Sequence, residues 1–394
     1  MLHPDRRLVR RRALALLGDP GFRGVLWQGA AVAIVVGIIA YFASNASDNL
    51  ARQHISSGFA FLWREAGFGI SESLIAYSPA DAYGRAILVG LLNTLQVAVT
   101  VSVASTLLGL VLGIARLSDN PLLARLAAGY VETVRNVPLI IQLFFWYAIV
   151  RQLPGPRQAL SPVGGVFISN RGILMPTIEA RPGAGLVASV LLGGIAAAWA
   201  LRRAAYRRQM EHGQASLTWP FCLVLVVGLP ALILCFAPNA FTVSAPILQG
   251  FNFKGGTAFS PEFAALFIGM TIYATAFTAE IVRAGIRAVP RGQWETALSL
   301  GLGPLRTLRL VVLPQSLRTA IPPMTSQYVN NTKNSSLAVA IGYPDLVSVS
   351  GTTMNQTGQA LEAILLFMLV YLGLSLATSL AMNAYNRRME LRER

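Results

Sequence analysis

Eight stretches dominated by apolar residues follow one another along the chain, at 25–44, 87–115, 133–150, 183–201, 217–237, 261–280, 321–342 and 360–385. A helix rising about 1.5 Å per residue needs roughly 20 residues to cross about 30 Å of hydrocarbon. The pattern therefore predicts about eight membrane-spanning helices. The third run contains Pro138, which leaves its ends open. The seventh is interrupted by Gln327, Asn330, Asn331, Lys333 and Asn334 and is the weakest of the eight. Arg6, Arg7 and Arg10 to Arg12 precede the first run, but its apolar part exceeds the roughly 7–15 residues of a signal peptide, which points to a retained helix.

Between the sixth and seventh runs the period changes. Residues 295–314 read as helix, turn, helix. Glu295 suits a first turn, where a carboxylate favours the positive end of the helix dipole. Gly301 can take the left-handed conformation that closes a helix, and Pro304 fits the first turn of the next. Leu305, Leu308 and Val312 then share one face and Arg306 and Arg309 another, and Pro314 ends or kinks the second helix. Spacing alone leaves two readings open: a hairpin resting on lipid headgroups, or one docked on another protein.

Only 12% of the residues are charged and 54% are hydrophobic, where a soluble domain carries about 25% charged. Too little polar surface remains to coat a water-soluble body, so lipid solvates much of the chain. The net charge of +15 does not signal nucleic-acid binding, because the basic residues sit in short clusters between apolar runs without interleaved aromatic residues. Their placement sets the orientation instead. Arg116 and Arg125, Arg202, Arg203, Arg207 and Arg208, the arginines between 283 and 318, and Arg387, Arg388, Arg392 and Arg394 share the side of the N-terminal cluster. Arg52, Arg64, Arg85, Arg151, Arg157, Arg171, Arg181 and Lys254 take the other. That bias predicts that both termini are cytoplasmic.

Lys254 and Lys333 are the two lysines, and neither follows a phosphate-binding glycine loop. His3, His54 and His212 lack metal-ligand spacing, so no metal site is expected, and no hydrolytic constellation is visible. Cys222 and Cys235 would lie roughly 20 Å apart on one helix, too far for a disulfide, and read as packing residues. Lys333, near the middle of its run, would be costly in hydrocarbon and should face a water-filled path, unless it sits near a helix end and snorkels. Asn330, Asn331, Asn334, Ser335 and Ser336 around it could hydrogen-bond a zwitterion. Glu132 and Arg135, and likewise Glu280 and Arg283, are spaced to pair along one helix face.

The run from Gly292 to Pro314 resembles the EAA loop of ABC importer permeases: Glu295, Ala297, Gly301, Val311, Leu313 and Pro314 fall at its positions, with Gln293 just before them and Thr296 in place of the middle alanine. The stretch from Ala279 to Ile286, the stretch from Lys333 to Leu337, the stretch from Tyr130 to Leu139, and Gln142 to Phe145 resemble the polar amino-acid branch of that family. Asn334 and Ser335 depart from its usual Asp-Thr. Gly58 to Leu62, Glu65 to Phe68 and Asn170 to Gly172 are similar to the larger permease of general L-amino-acid transporters.

The resemblance implies an all-α integral membrane protein of the bacterial inner membrane, with a type I permease core of five helices plus one N-terminal and two inserted helices. It divides the chain into 1–84, an N-terminal tail, helix and outer loop; 85–150, the first part of the core; 151–260, an insertion; and 261–394, the second part of the core with a cytoplasmic coupling loop at 288–320. It further implies an ATPase dimer that binds ATP and Mg and docks on that loop, a second and related permease, and a periplasmic amino-acid-binding protein. L-amino acids would pass along a pathway including Lys333, Asn334, Ser335, Ser336, Asn330 and Arg135. An ion-coupled secondary transporter is the rival reading, although no internal repeat is visible.

Overall fold

The computed structural model describes residues 20–52, 58–212, 217–237, 239–250 and 252–389. The N-terminal arginines up to Arg12, His3, His54, Arg392 and Arg394 lie outside the described residues. The chain is mostly helical. Helix α1 spans Pro20–Arg52 and α2 spans Tyr83–Ala115. Helix α3, Pro121–Asn136, starts where Asn120 accepts from the Leu122 and Leu123 amides and Pro121 supplies a preset first turn.

Helix α4, Leu139–Arg151, is bent 104° from α3. The expected single helix over 133–150 is therefore two. Pro138 disfavours helical geometry at the residue before it, and Val137 is extended at φ −96°, ψ 125°. The Gln142 side chain closes the break by donating to the Val134 and Val137 carbonyls at 2.9 and 3.0 Å.

The insertion departs from the all-α expectation. Strands β1 (Leu160–Val163), β2 (Val166–Ser169), β3 (Gly172–Met175) and β8 (Thr257–Phe259) form an antiparallel sheet in that order. Two ribbons pair β4 (Thr177–Ala180) with β5 (Phe241–Ser244), and β6 (Ile247–Gln249) with β7 (Asn252–Lys254). Runs of three or four residues rich in β-branched and aromatic side chains, broken by Gly, Pro and Asn, are too short to read as helix and pair as hairpins. Within the insertion α5, Ala184–His212, packs on α6, Trp219–Phe236. A Cβ on Gly194 would stand 2.2 Å from the Leu225 carbonyl oxygen, so the two backbones touch there. Cys222 is buried and Cys235 exposed, and both are free thiols.

Helix α7, Pro261–Arg287, follows the Ser260 cap; α8 is Arg291–Ser299; α9 runs through 304–334. A 3-10 segment, Ser335–Ile341, α10 (Leu346–Thr357) and α11 (Ala360–Met389) complete the chain. Pro314 does not end α9. The turn Leu308–Val312 widens to π geometry just before it, relieving the clash of the proline ring with the carbonyl four residues back. The seventh apolar run is thus α-helical to Asn334 and 3-10 from Ser335 to Ile341.

Helices α2, α5, α6, α7 and α11 are long and apolar enough to span a membrane, and the bent α3–α4 pair would make a sixth. The described residues thus give five or six of the expected eight: the apolar stretch described within α1 is the shorter Leu26–Phe42, and α9 carries many polar residues. Large apolar side chains lie exposed along α1, α5 and α11, as lipid-facing helices require. The chain is a multi-pass membrane protein.

The described residues fall into two units. One comprises residues 20–52, 58–69, 77–88 and 349–370. In it Phe61 is buried edge-on to Tyr83, whose hydroxyl donates to Gln356, and Glu362 accepts from the Gly58 amide. The other, 70–76, 89–348 and 371–389, is built on α7, whose buried face carries Ala264, Ala265, Gly269, Ala274, Ala276 and Ala279. Small residues let neighbouring backbones close in without a hydrophobic drive from lipid. Gly109 and Gly113 of α2 meet α7 at Thr278 and Ala279, Gly269 meets Leu143 of α4, and Gly285 meets Ser316 of α9.

Candidate functional site

The α8–α9 hairpin is built by local signals. Pro290, extended at φ −57°, ψ 140°, starts α8 at Arg291. Glu295 consequently sits in the second turn rather than the first, because the helix begins earlier than the acidic residue suggests. The Gly301 amide bonds the Leu298 carbonyl at 2.9 Å and the Leu302 amide the Ala297 carbonyl at 3.2 Å, with Gly301 at φ +78°. That pair of bonds is the Schellman closure. Pro304 then opens α9 behind the extended Gly303.

One side of the hairpin is anchored. Ile286, Val289 and Val312 are buried together, with Trp294 and Leu308 against them. Ala297 and Thr307 are buried, Val311, Leu313 and Pro314 are half-buried, and the Gln315 amide donates to Gln293 at 3.2 Å. Leu305 does not join Leu308 and Val312 as expected. It is 78% exposed, with Leu300 at 77%, Leu310 at 61% and Leu298 at 48%. Among the described residues nothing covers the tip, so leucines, together with the exposed Glu295 and Thr296, form its outer surface.

Behind the hairpin, Glu280 accepts from Arg283 along the same helix and from Arg116 at the end of α2. Sequence spacing finds the first pair; Arg116 lies too far along the chain to be seen that way.

The other sequence-predicted residues split into two places. Asn330 and Lys333 are exposed on α9, Asn334 and Ser336 are half-buried, and Ser335 is buried. Thr319, Ser326, Asn330 and Lys333 recur at helical spacing as one uncovered polar stripe. Lys333 has no ion-pair partner among the described residues. The Ser335 and Ser336 hydroxyls donate back to the Thr332 and Lys333 carbonyls at the change from α to 3-10 helix. Asn331 points inward, donating to Ser102 and accepting from Gln327, both at 3.1 Å. Arg135 stands apart on α3. It does not pair with Glu132; its guanidinium lies 5.1 Å over the Phe277 ring of α7.

The family described as "Binding-protein-dependent transport system inner membrane component" matches residues 105–391. The chain is 50% identical over 380 residues to the putative amino-acid ABC transporter permease protein YhdX of Escherichia coli (strain K12), covering 95% of this chain and 96% of that one. It is 45% identical to the general L-amino acid transport system permease protein AapQ of Rhizobium johnstonii, over 95% of this chain and 94% of that protein. It is 38% identical to the glutamate/glutamine/aspartate/asparagine transport system permease protein BztB of Rhodobacter capsulatus, over 97% of each. On a match spanning most of its length, the chain belongs to the family of inner-membrane components of binding-protein-dependent transport systems.

Proposed function

We propose that this chain is the permease subunit of an ATP-driven importer that carries L-amino acids into the cytoplasm. The observation that carries the reading is the closed α8–α9 hairpin with bare leucines at its tip, in a chain without a phosphate-binding loop. ATP and Mg would be bound by a separate ATPase dimer seated on that tip, with both termini and the hairpin on the cytoplasmic side. A second, related permease would cover the polar stripe of α9, and a soluble binding protein would deliver the amino acid from outside. Closure of the ATPase dimer would push the hairpin, and α7 and α9, joined to it by the Ile286–Val289–Val312 cluster, would carry the motion into the membrane. The rival ion-coupled reading has no support among the relatives.

Uptake into sealed vesicles tests the proposal. Dependence on ATP supplied to the cytoplasmic side, and indifference to a proton uncoupler, is expected; the reverse dependence would overturn it. Gly301→Val is a sharper probe, because a Cβ at Gly301 meets nothing within 4 Å and only the left-handed backbone resists it. A strain of about 1–3 kcal/mol at the turn should lower transport-coupled ATPase activity at least tenfold in assembled complexes. Lys333→Met should impair uptake or shift its selectivity with assembly intact. Unchanged uptake of acidic, neutral and basic amino acids would place Lys333 outside the pathway.

A further inference from the structure

The β2–β3 hairpin turns through Asn170 and Arg171, with Ser169 opposite Gly172. Gly172 sits at φ +105°, and a Cβ there would stand 1.9 Å from the Phe259 carbonyl oxygen. Because Gly172 lacks one, the hairpin tip presses against the start of α7 and holds Arg171 beside Ser260 and Glu262. Two carboxylates reach the same place by other routes. Glu72 accepts from the Ser260 amide at 3.1 Å, and its own carbonyl is held by the Asn93 side chain at 2.8 Å. One Glu262 oxygen accepts from the Tyr147 hydroxyl at 2.9 Å, leaving the other open.

Arg171, Glu72 and Glu262 line one cavity of about 490 Å3, within the roughly 300–1,000 Å3 usual for small-ligand sites. No ion pair joins the arginine to either carboxylate, although opposite charges share the cavity wall. Burial raises the Glu72 carboxyl above its ordinary value; Ser260 opposes the rise and neighbouring Glu262 adds to it. A cation placed between the two carboxylates would relieve that pressure, but a plain cation would also meet Arg171, and a plain anion would meet the glutamates. A small molecule bearing both charges satisfies all three.

We propose that this cavity, on the face opposite the coupling hairpin, is a binding site for a free amino-acid zwitterion, its carboxylate on Arg171 and its ammonium on Glu262 and Glu72. It lies apart from the polar stripe of α9 in sequence and rests on the import reading for the identity of the zwitterion. It would hold the amino acid released by the binding protein at the mouth of the path.

The complete complex, with partner permease and ATPase in nanodiscs and no binding protein, is mixed with radiolabelled common L-amino acids. Binding is expected, and Arg171→Met or Glu262→Gln should weaken it about tenfold, as loss of one charge-assisted contact does. Glu72→Gln keeps an acceptor for Ser260 and should weaken it as well. The mixture acetylated at nitrogen or amidated at the carboxyl should compete poorly. Wild-type binding in both Arg171→Met and Glu262→Gln would overturn the site. So would absence of binding in a complex that imports amino acids. Arg171-dependent binding without ATP-driven uptake would instead keep the site and remove the import reading.

Discussion

Changing Leu300 and Leu305 together to aspartate is expected to strip the ATPase subunits from the purified complex while leaving the permease folded. Both side chains are more than three-quarters exposed. In the free permease the new carboxylates stay in water and cost nothing. Against a partner the change has two parts. Each lost leucine forfeits about 1.5–3 kcal/mol of burial, and each carboxylate must shed its water or hold the surfaces apart. A combined loss above about 3 kcal/mol weakens binding more than 100-fold. Retention of the ATPase on the tagged permease, read beside an unchanged melting temperature, measures it. Retention at the wild-type level would return the hairpin to the reading in which it rests on lipid.

That experiment turns on residues the sequence misassigned. Leu305 shares a helical face with Leu308 and Val312 in any periodicity count, yet only the latter two are covered. Periodicity shows which residues point the same way; how far along the helix the neighbouring protein extends is a tertiary fact. The turn itself was legible, since Gly301 followed by Gly303-Pro304 needs no distant partner to close one helix and open another. Pro138 shows the middle case. Its presence marks a break, but the 104° bend depends on Gln142 and on α7 behind it.

Charges divide the same way. Glu280 and Arg283, three apart on one helix, pair as spacing suggests, whereas Glu132 and Arg135 at the same spacing do not, because Phe277 of α7 offers the guanidinium an aromatic face. Asn331 and Lys333 look alike as polar interruptions of an apolar run. Ser102 on α2 gives Asn331 a partner, and Lys333, on the far side of α9, has no ion-pair partner among the described residues. The insertion's strands were hidden for a different reason: three- or four-residue hairpins carry too few positions for alternation to register.

Gly113→Leu should be a severely damaging single change. A Cβ at Gly113 would lie 2.8 Å from the Ala279 carbonyl oxygen and 2.8 Å from the Val282 Cβ, atoms of a helix backbone and a branched side chain that cannot swing aside. Overpacking of a close-packed contact costs about 1–3 kcal/mol for added methylenes, and leucine adds a full side chain where even one carbon does not fit. Moving α2 off α7 also pulls Arg116, one turn further on, from Glu280, which then keeps Arg283 as its ion-pair partner. Gly113→Ala should lower the melting temperature of the detergent-solubilised protein by several degrees, and Gly113→Leu should yield aggregate in size-exclusion chromatography. Gly129→Ala on α3, where a Cβ meets nothing within 4 Å, is the control and should melt at or slightly above the wild type. Equal melting of the two alanine variants would mean that α2 and α7 do not meet at Gly113.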